Sequence, residues 1–488
     1  MDKDRFLKTV GEGYDLIPIS KCIENPSINP IDLYEAYSNK PQSYFFESLE
    51  GGRKWSRYSI IGLPSSESID VKDNIITIRT GEKNQCEKTS DPIEWIENYY
   101  KKYNVYSDTT LPEFQGGLVG YFGFDSIKYF EPKIVPSKQV DHLNTPDIRL
   151  IISKQILIFD KLNNQIFIIV YSDASIEGFN EAIKEISNLH ELITKFKVKK
   201  NNNIYPKDED IKVEYYMNKT NFIKSVDLIK SYISDGDVMQ VVLSQRMTVP
   251  FKNDALAFYK QLRNLNPSPY MYYLNLDGFS IIGSSPEILV RLENKNLTVR
   301  PIAGTRPRGS DQKEDDSFEH DLKRDPKEIA EHLMLIDLGR NDIGRVSEIG
   351  TVKLTDKMII EKYSHVMHMV SNVTSKLKSD LGLMDVLRAT FPAGTVSGAP
   401  KIRALEIIYE LEPVKRGIYA GAIGYLGWNG NMDTAIAIRT CIIKESKLNI
   451  QCGAGIVFDS VPEREWEETI NKGMAIIQAY KNLCGEVK

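Results

Sequence analysis

Two segments of the sequence carry pairs of glutamates spaced three residues apart, a spacing that can serve a metal ion. Glu328 and Glu331 follow a helix-start signal at Asp325-Pro326. Glu465 and Glu468 follow a second helix-start signal at Ser460-Val461-Pro462-Glu463. Residues three apart on a helix project from one face. Mg²⁺ accepts one or two carboxylates and keeps positions for water and an anionic ligand. The spacing is nonspecific, because solvated surface charge, with Glu328 acting as a helix cap, explains it as well.

An arginine in a predicted strand is a candidate ligand for a carboxylate. In the strand predicted around 436–443, alternation by two places four residues on one face: Ala435, Ala437, Arg439 and Cys441. A guanidinium among small apolar neighbours needs a partner, because burying it unpaired is very costly. Its planar fork suits a carboxylate. A structural ion pair would satisfy the arginine equally well.

Three further segments could contribute contacts to an anion or a proton. Gly453-Ala454-Gly455 ends a predicted strand and could offer backbone N–H groups, although a tight bend would also explain the glycines. The basic, Gly/Pro-punctuated segment 300–309 predicts a loop, either a lid over an anionic substrate or a solvated connector. His365 and His368 are three apart, but histidines of no catalytic consequence are more common than catalytic ones.

The elements that must position these groups differ between the two halves of the chain. The first half favours short strands around turns: Ser43–Glu47, Tyr58–Leu63, Ile151–Asp160 and Gln165–Tyr171. The polar stretch Lys197–Lys212 lacks periodicity and is the best linker candidate. We therefore predict an N-terminal regulatory region over residues 1–200 and a catalytic domain over residues 213–488.

The second half mixes helices with antiparallel strands. Helical spacing of Phe222, Val226, Ile229 and Ile233 precedes a predicted strand, Val238–Arg246. Three late strands are predicted at Ile418–Leu426, Met432–Ile443 and Leu448–Phe458, with a hairpin at Asn429-Gly430. The helices that carry the glutamates have apolar stripes: Ile329, Leu333 and Ile336 in one, and Trp466, Ile470, Met474 and Ile477 in the other. This mixture indicates an α+β fold.

Composition limits the class of protein. The 488 residues are 41% hydrophobic and 26% charged, with 62 basic and 67 acidic side chains and a net charge of −5. This balance favours neither nucleic acid nor an anionic membrane as a partner. No apolar run is long enough to span a bilayer, nothing suggests a secretory signal, and the five cysteines are scattered, so we predict a cytoplasmic protein. Phosphate-loop, nucleophile-elbow and HExxH motifs are absent, and no cysteine sits in the nucleophile-like turn that an amidotransferase needs.

Several segments in order together resemble a known family. They are PIAGTRPRG (301–309), AEHLMLIDLGRNDIGRV (330–346), HVMHMVS (365–371), FPAGTVSGAPK (391–401), IYAGAIGY (418–425), DTAIAIRT (433–440) and CGAGIVFDSVPEREWEETINK (452–472). The set resembles the chorismate-utilising enzymes, and among them the large subunits (component I) of anthranilate synthases. The resemblance implies antiparallel sheets packed as a sandwich and flanked by helices, with two interleaved subdomains.

Two positions separate the chain from sister enzymes of that family. Those that add water carry a lysine base where this chain has Gln240, and aminodeoxychorismate synthases typically carry a lysine where it has Ala303. Without either lysine, the site suits ammonia as the nucleophile. The resemblance thus implies formation of anthranilate and pyruvate from chorismate by way of aminodeoxyisochorismate, the first committed step of tryptophan synthesis. The rivals are an aminodeoxychorismate synthase component and a catalytically silent tryptophan-binding regulator.

The resemblance also assigns roles to matching positions. Glu331 and Glu468 would hold Mg²⁺ on the ring carboxylate of chorismate, with Glu328 and Glu465 as outer partners. Glu287 would protonate the departing C4 hydroxyl. His368 would take part in the later loss of pyruvate. The implied substrate-binding residues are Gly304, Thr305, Thr395, Tyr419, Arg439, Gly453, Ala454, Gly455 and Lys472.

A regulatory site and a partner are implied in the same way. Phe45-Phe46-Glu47-Ser48 matches an LLES-like element with Phe in place of both leucines, and 266–271 matches NPSPYM. We expect feedback inhibition by L-tryptophan bound at Ser48, Pro269, Tyr270 and Met271. Ammonia would come from a glutamine amidotransferase subunit (component II), joined to this chain in a heterotetramer.

Overall fold

The protein is described from a computed structural model that covers residues 1–49, 57–134, 139–198, 211–363 and 366–485. Most of the predicted linker, the Gly51-Gly52 turn and His365 lie outside the described residues. The strands are β1 Leu16–Glu24, β2 Ser43–Glu47, β3 Tyr58–Gly62, β4 Glu67–Lys72, β5 Ile75–Thr80, β6 Lys83–Lys88, β7 Gly117–Phe122, β8 Ile148–Ser153, β9 Gln155–Asp160, β10 Gln165–Asp173, β11 Glu214–Tyr215, β12 Gln240–Pro250, β13 Tyr270–Leu276, β14 Phe279–Ser285, β15 Ile288–Glu293, β16 Asn296–Val299, β17 Ile302–Pro307, β18 Lys353–Lys362, β19 Val366–Lys376, β20 Gly398–Ala399, β21 Ala422–Gly427, β22 Met432–Ile436, β23 Thr440–Lys444 and β24 Lys447–Ile456.

The helices are distributed along the whole chain. They are α1 Lys3–Gly11, α2 Pro30–Leu33, α3 Pro92–Lys101, α4 Ile127–Phe130, α5 Ile176–Lys195, α6 Lys219–Ser234, α7 Ala255–Leu265, α8 Gln312–Arg324, α9 Pro326–Gly344, α10 Leu383–Thr390, α11 Gly394–Ser397, α12 Lys401–Leu411 and α13 Pro462–Leu483. A π-helical turn, Tyr34–Ser38, extends α2, and a 3₁₀ turn, Phe124–Ser126, precedes α4. The start of α9 is as predicted, since the Asp325 side chain accepts from the first-turn N–H groups and Pro326 is the first helical residue.

Two antiparallel sheets form the body of the molecule, which confirms the predicted α+β sandwich. The first has the order β1-β10-β9-β3-β2-β13-β14-β23-β24-β12-β11, and the second β17-β19-β16-β15-β22-β21-β7-β8-β4-β5-β6. Each sheet therefore joins strands from before the predicted linker to strands from after it. The junctions are the β2–β13 pair in the first sheet and the β7–β21 pair in the second. The two halves are interleaved, and the division at residues 200 and 213 stays a prediction.

The largest apolar core lies between the two sheets. It includes Ile69, Leu118, Ile281 and Val290, each fully buried on an inward strand face. A second core lies on the outer face of the first sheet, beneath α1, α5, α7 and α13. Aliphatic and aromatic side chains dominate both cores, as burial of apolar area requires. No helix of the described residues is long and apolar enough to cross a membrane.

Two predicted strands are each divided between the sheets, so those predictions were wrong in extent. The segment Ile151–Asp160 breaks at Lys154, with β8 in the second sheet and β9 in the first. Likewise 432–443 breaks after Ile436, with β22 in the second sheet and β23 in the first. Both segments are nearly continuously apolar because both sheets bury them, so hydrophobicity alone does not mark the break.

Two other predictions were wrong in detail. The segment 300–309 is mostly strand β17, which pairs with β19, and is neither a free lid nor an open connector. The apolar stripe of α9 runs through His332, Leu335 and Ile336, whereas Leu333 is 43% exposed. In α13, Met474 is likewise partly exposed at 38%. A prediction based on apolar residues alone does not include His332, although this histidine is buried.

Candidate active site

A cleft of about 520 Å³ lies between the ends of strands from both sheets and the helices α9 and α13. It gathers the predicted residues from distant parts of the sequence. They are Glu287, Gly304, Thr305, Glu328, Glu331, His368, Thr395, Tyr419, Arg439, Gly453, Gly455, Glu465, Glu468 and Lys472. Ala454 is the exception, because strand alternation turns its methyl group into the core between the sheets.

Glu287 lies where the chain crosses from the first sheet to the second, between β14 and β15. The backbone there is fixed, since Ile436 N–H donates to the Glu287 carbonyl oxygen at 3.0 Å. The side chain is 7% exposed. Burial raises the pKa of Glu287 to about 8, while the neighbouring Thr395 hydroxyl and the Lys472 charge oppose that rise. At neutral pH the carboxyl group is therefore mostly protonated and can act as an acid.

Arg439 occupies the reverse crossing, between β22 and β23. Its φ of +51° places it in the left-handed region, so it is a turn residue and not the strand residue predicted from alternation. Its carbonyl oxygen accepts from Ser284 N–H at 3.1 Å, and Nη1 donates to the carbonyl oxygen of Lys472 at 3.1 Å. The predicted strand conformation is wrong, and Arg439 lines the cleft from a turn.

The glycines of β24 bring backbone to the cleft surface. A Cβ on Gly453 would lie 2.9 Å from the Tyr419 hydroxyl oxygen, and one on Gly455 would lie 2.7 Å from Gln240 Nε2. Lys472 Nζ donates to the Gly453 carbonyl oxygen at 3.0 Å. The pairing of β24 with β23 ends at Ile450, so this part of β24 has a strand on one side only within the described pairing. Its other edge can offer N–H groups to an anion.

The four glutamates face the cleft from two helices. Burial and repulsion from Glu331 raise the pKa of Glu328, and burial with repulsion from Glu468 raises that of Glu465. Glu468 also lies 2.6 Å from Lys472 Nζ. Crowding of like charges is typical of a cation site. Within the described residues no three such ligands come together, so the arrangement fits Mg²⁺ only with one or two protein carboxylates and an anionic substrate completing the shell.

His368, on β19, faces the cleft beside β17. Its Nδ1 lies 3.2 Å from the Gly304 carbonyl oxygen and 3.0 Å from Thr305 Oγ1. Because a carbonyl oxygen only accepts, Nδ1 carries the proton of the neutral ring and Nε2 can accept one. Burial lowers the pKa of His368, and repulsion from Arg439 adds to that effect. Gly304 lies at a bulge in the pairing of β17 with β19 and has a φ of +67°. A Cβ at Gly304 would lie 3.0 Å from Glu328 Oε2.

A second pocket of about 450 Å³ lies at the junctions where the two halves of the chain meet. It is lined by all four residues predicted to bind tryptophan, Ser48, Pro269, Tyr270 and Met271. Aromatic walls come from Phe46, Tyr58, Phe114 and Tyr425, and charged groups include Arg57, Glu113, Arg291 and Asp433. A pocket with aromatic walls and charges of both signs suits an aromatic amino acid.

A family model described as chorismate binding enzyme matches residues 44–478. The chain belongs to this family. An anthranilate synthase component 1 of Pseudomonas aeruginosa is 48% identical over 489 residues, covering 98% of this chain and 98% of that protein. One from Acetivibrio thermocellus is 44% identical, covering 99% and 98%. These relatives confirm the predicted family.

Solved structures show the same fold. Anthranilate synthase component I from Streptococcus pneumoniae is 35% identical and matches with a TM-score of 0.78, covering 93% of this chain and 98% of that chain. The menaquinone-specific isochorismate synthase of Escherichia coli is 17% identical and matches with a TM-score of 0.70, covering 98% of each. That second likeness concerns the fold alone.

Two groups, one in the cleft and one beside it, were not assigned a role in binding or catalysis from the sequence. Gln240 is 3% exposed and its Nε2 donates to Glu331 Oε1 at 3.2 Å, while its Oε1 has no hydrogen-bond partner among the described residues. Arg306 reaches Glu328 Oε1 at 3.4 Å and Asp325 Oδ2 at 2.8 Å. Glu328 is thus bound by a residue of β17. The spacing of Glu328 on α9 does not indicate this contact. The basic character of 300–309 was the available signal for Arg306.

Proposed function

We propose that this chain is the Mg²⁺-dependent, chorismate-converting subunit of an anthranilate synthase, a cytoplasmic carbon–oxygen lyase. The reaction would be addition of ammonia at C2 of chorismate with loss of the C4 hydroxyl, followed by loss of pyruvate to give anthranilate. The observation that carries the proposal is the convergence of Glu287, His368, Arg439 and the two glutamate pairs on one cleft. The anthranilate synthase components that match nearly the full chain support the same activity.

Recognition of chorismate would use its two carboxylates, each held by a different group of cleft residues. Arg439, with the Tyr419 hydroxyl and the free edge of Gly453–Gly455, suits the enolpyruvyl carboxylate. Glu331 and Glu468 would hold Mg²⁺ on the ring carboxylate, with Glu328 and Glu465 as outer partners. When bound, the ion would neutralise the substrate charge and fix the ring in place.

Proton transfer would fall to Glu287 and His368. Hydroxide is a poor leaving group, and a buried carboxylic acid that is still protonated at neutral pH can supply the proton it needs. Neutral His368, with Nε2 free to accept, is suited to take the C2 proton as pyruvate leaves and the ring becomes aromatic. The proton given by Glu287 is balanced by the one that ammonia releases on forming the C–N bond.

Gln240 supports ammonia as the nucleophile over water. A glutamine amide does not act as a base, so it cannot activate water, but ammonia needs no such activation. Ala303 also lines the cleft, and it has no side-chain amine that could attack the ring in place of ammonia. Ammonia would be produced from glutamine by an amidotransferase partner, and the two subunits would form a heterotetramer.

Tryptophan would be the feedback inhibitor, bound in the second pocket against Ser48 and Pro269–Met271. The aromatic walls suit the indole. Arg57 or Arg291 could face its carboxylate, and one of the acidic groups its ammonium. The phenylalanine at position 46 lines this pocket and sets its size on that side.

The test is anthranilate fluorescence from the purified chain given chorismate, Mg²⁺ and excess ammonium, with and without tryptophan. Anthranilate that requires Mg²⁺ and decreases with tryptophan is the expected result. Consumption of chorismate without anthranilate or pyruvate would indicate an aminodeoxychorismate synthase. Binding of tryptophan with no turnover at all would indicate a silent regulator.

A further inference from the structure

Arg246, on β12, is a buried cation that the proposed mechanism does not use. The residue is 2% exposed, and its guanidinium donates to Gln451 Oε1 from Nε at 3.1 Å and from Nη2 at 2.9 Å. Nη2 also donates to the carbonyl oxygens of Lys415 and Arg416, and all of these acceptors are uncharged. Nη1 has no hydrogen-bond partner among the described residues. Burial lowers the pKa of Arg246, but an arginine keeps its proton in proteins, so the group stays positive.

The carboxylates in the neighbourhood of Arg246 are not in contact with it. Glu412 is paired with Arg416, at 2.7 Å between Oε1 and Nη2. Asp141 is paired with a lysine, and Asp125 attracts Arg246 only from beyond ion-pair distance. Within the part of the chain that the structure describes, Arg246 therefore has no contacting counter-charge. Burying a cation in this way costs stability unless another negative group compensates it.

Arg246 lies beside one end of the cleft. Arg246 and Gln451 are directly opposite each other in the pairing of β12 with β24. Residues two apart on a strand share a face and lie about 7 Å apart, so Gln451 and Gly453 are neighbours on one face. Gln451 lines the cleft together with Gly453 and Tyr419. The buried charge is thus adjacent to the residues that we assign to the enolpyruvyl carboxylate.

A small space of about 10 Å³ lies between Arg246 and the cleft wall. Tyr419 and Gln451 line both this space and the cleft, whereas Arg246 lines only the small space. Room for a single water molecule takes about 10–15 Å³, so no part of chorismate enters. Arg246 therefore acts on a bound substrate from behind the wall and does not touch it.

We propose that Arg246 is a positioning residue whose uncompensated charge, acting through the Gln451 wall, attracts the enolpyruvyl carboxylate of chorismate. The inference rests on the proposed function, which assigns that carboxylate to this end of the cleft. The substrate supplies the negative charge that the surroundings of Arg246 lack. Two unit charges about 7 Å apart, at an effective dielectric constant of about 20, attract strongly enough to change affinity by at least about tenfold.

Two variants at one position separate the charge of Arg246 from its structural role. Arg246→Gln removes the charge, and Arg246→Lys keeps it. The measurement is the dissociation constant of chorismate by titration calorimetry, with Mg²⁺ and without ammonium. We expect it to rise by at least about tenfold in Arg246→Gln and to stay within about threefold of wild type in Arg246→Lys.

A second ligand shows which end of the cleft is affected. Anthranilate has a ring carboxylate but no enolpyruvyl group, so its dissociation constant should stay within about twofold of wild type in both variants. The kcat at saturating chorismate should stay within about threefold, because the attraction acts on bound substrate and transition state alike. A role of Arg246 in folding alone would not separate the two ligands.

Arg149→Gln is the matched control for the loss of a buried arginine. Arg149 is 3% exposed in the second sheet, where it is paired with Asp70. This variant should lower Tm and leave the dissociation constant of chorismate unchanged. Gln451→Glu keeps the test open should the Arg246 variants not fold. It has nearly the same shape and gives Arg246 a counter-charge, so chorismate should bind at least about tenfold more weakly with no loss in Tm.

Four results would overturn the proposal. They are wild-type affinity for chorismate in a folded Arg246→Gln, an equal loss in Arg246→Lys, an equal loss of anthranilate binding, and wild-type affinity in Gln451→Glu. A wild-type chain that binds chorismate but forms no anthranilate would instead refute the proposed function. The two failures are distinguishable because binding is measured without turnover.

Discussion

Arg291 and Asp433 lie opposite each other on β15 and β22, with Nη2 of the arginine 2.6 Å from Oδ2 of the aspartate. The Tyr270 hydroxyl completes the cluster, since it donates to Asp433 at 2.9 Å and accepts from Arg291 at 3.2 Å. All three line the second pocket. The residue before β15 is Glu287, and the turn after β22 carries Arg439. A ligand that moves this cluster would therefore act on the two strands next to Glu287 and Arg439, which line the cleft.

Asp433→Asn should weaken inhibition by tryptophan. Removal of the Asp433 charge weakens the ion pair that joins β15 to β22. Coupling between two binding sites typically changes affinity by about 5–150-fold. We expect the apparent inhibition constant for tryptophan to rise by roughly tenfold, measured from anthranilate formation. Asp277→Asn, whose side chain is 60% exposed outside the pocket, is the control. Unchanged inhibition in Asp433→Asn would mean that the pair does not transmit binding.

Activity should depend on the protonation of Glu287. The burial-raised pKa of about 8 means that the acid form is lost as pH rises through that value, so kcat should fall above about pH 8. Glu287→Gln should lower kcat by about 10²–10⁴-fold while chorismate still binds, because only the proton donor is removed. The check is kcat against pH at constant free ammonia concentration. A wild-type profile flat to pH 10 would contradict the assignment.

The glutamate pairs should set the requirement for Mg²⁺. Chelation with EDTA should abolish turnover, and Glu331→Gln should raise the Mg²⁺ concentration for half-maximal activity. Glu328→Gln should raise it less, by roughly 10–100-fold, as expected of an outer partner. Glu348→Gln, distant from the cleft, should have no effect. Equal responses of Glu328→Gln and Glu331→Gln would show that both glutamates bind the ion directly.

Stability should depend on the buried pair of Glu412 and Arg416, whose side chains are each 1% exposed and 2.7 Å apart. Glu412→Ala leaves the guanidinium buried without its counter-charge, at a cost of about 3–5 kcal/mol in unfolding free energy. The measurement is the urea midpoint or Tm of the full chain. Glu406→Ala, at a 49% exposed side chain on α12, which ends just before Glu412, should change stability by no more than about 0.5 kcal/mol.

The residues of the site could be found from the sequence more readily than the backbone that carries them. Arg439 is a candidate carboxylate ligand in the sequence because a guanidinium among small residues needs a partner, and the structure places it in the cleft. Its turn conformation was missed, since the apolar run 432–443 gives no sign of the crossing between sheets. Glu287, with no neighbouring charged motif, was found only through resemblance.

Other features depend on contacts that are remote in sequence. The pairing of β17 with β19 turns the basic segment 300–309 into a strand, and that partner lies some 60 residues away. The buried His332 donates to or accepts from Ser371 at 2.7 Å, so a polar residue occupies the inner face of α9. Local patterns cannot anticipate such partners, because only the folded chain brings them together.

The interleaving of the two halves has a consequence for engineering. Because β2 pairs with β13 and β7 pairs with β21, cutting the chain near residue 200 would leave each fragment with two unfinished sheet edges. The second pocket, where we propose that tryptophan binds, lies at these junctions. The proposed feedback site therefore cannot be grafted onto a relative as a detachable module, and would have to be altered residue by residue within one continuous body.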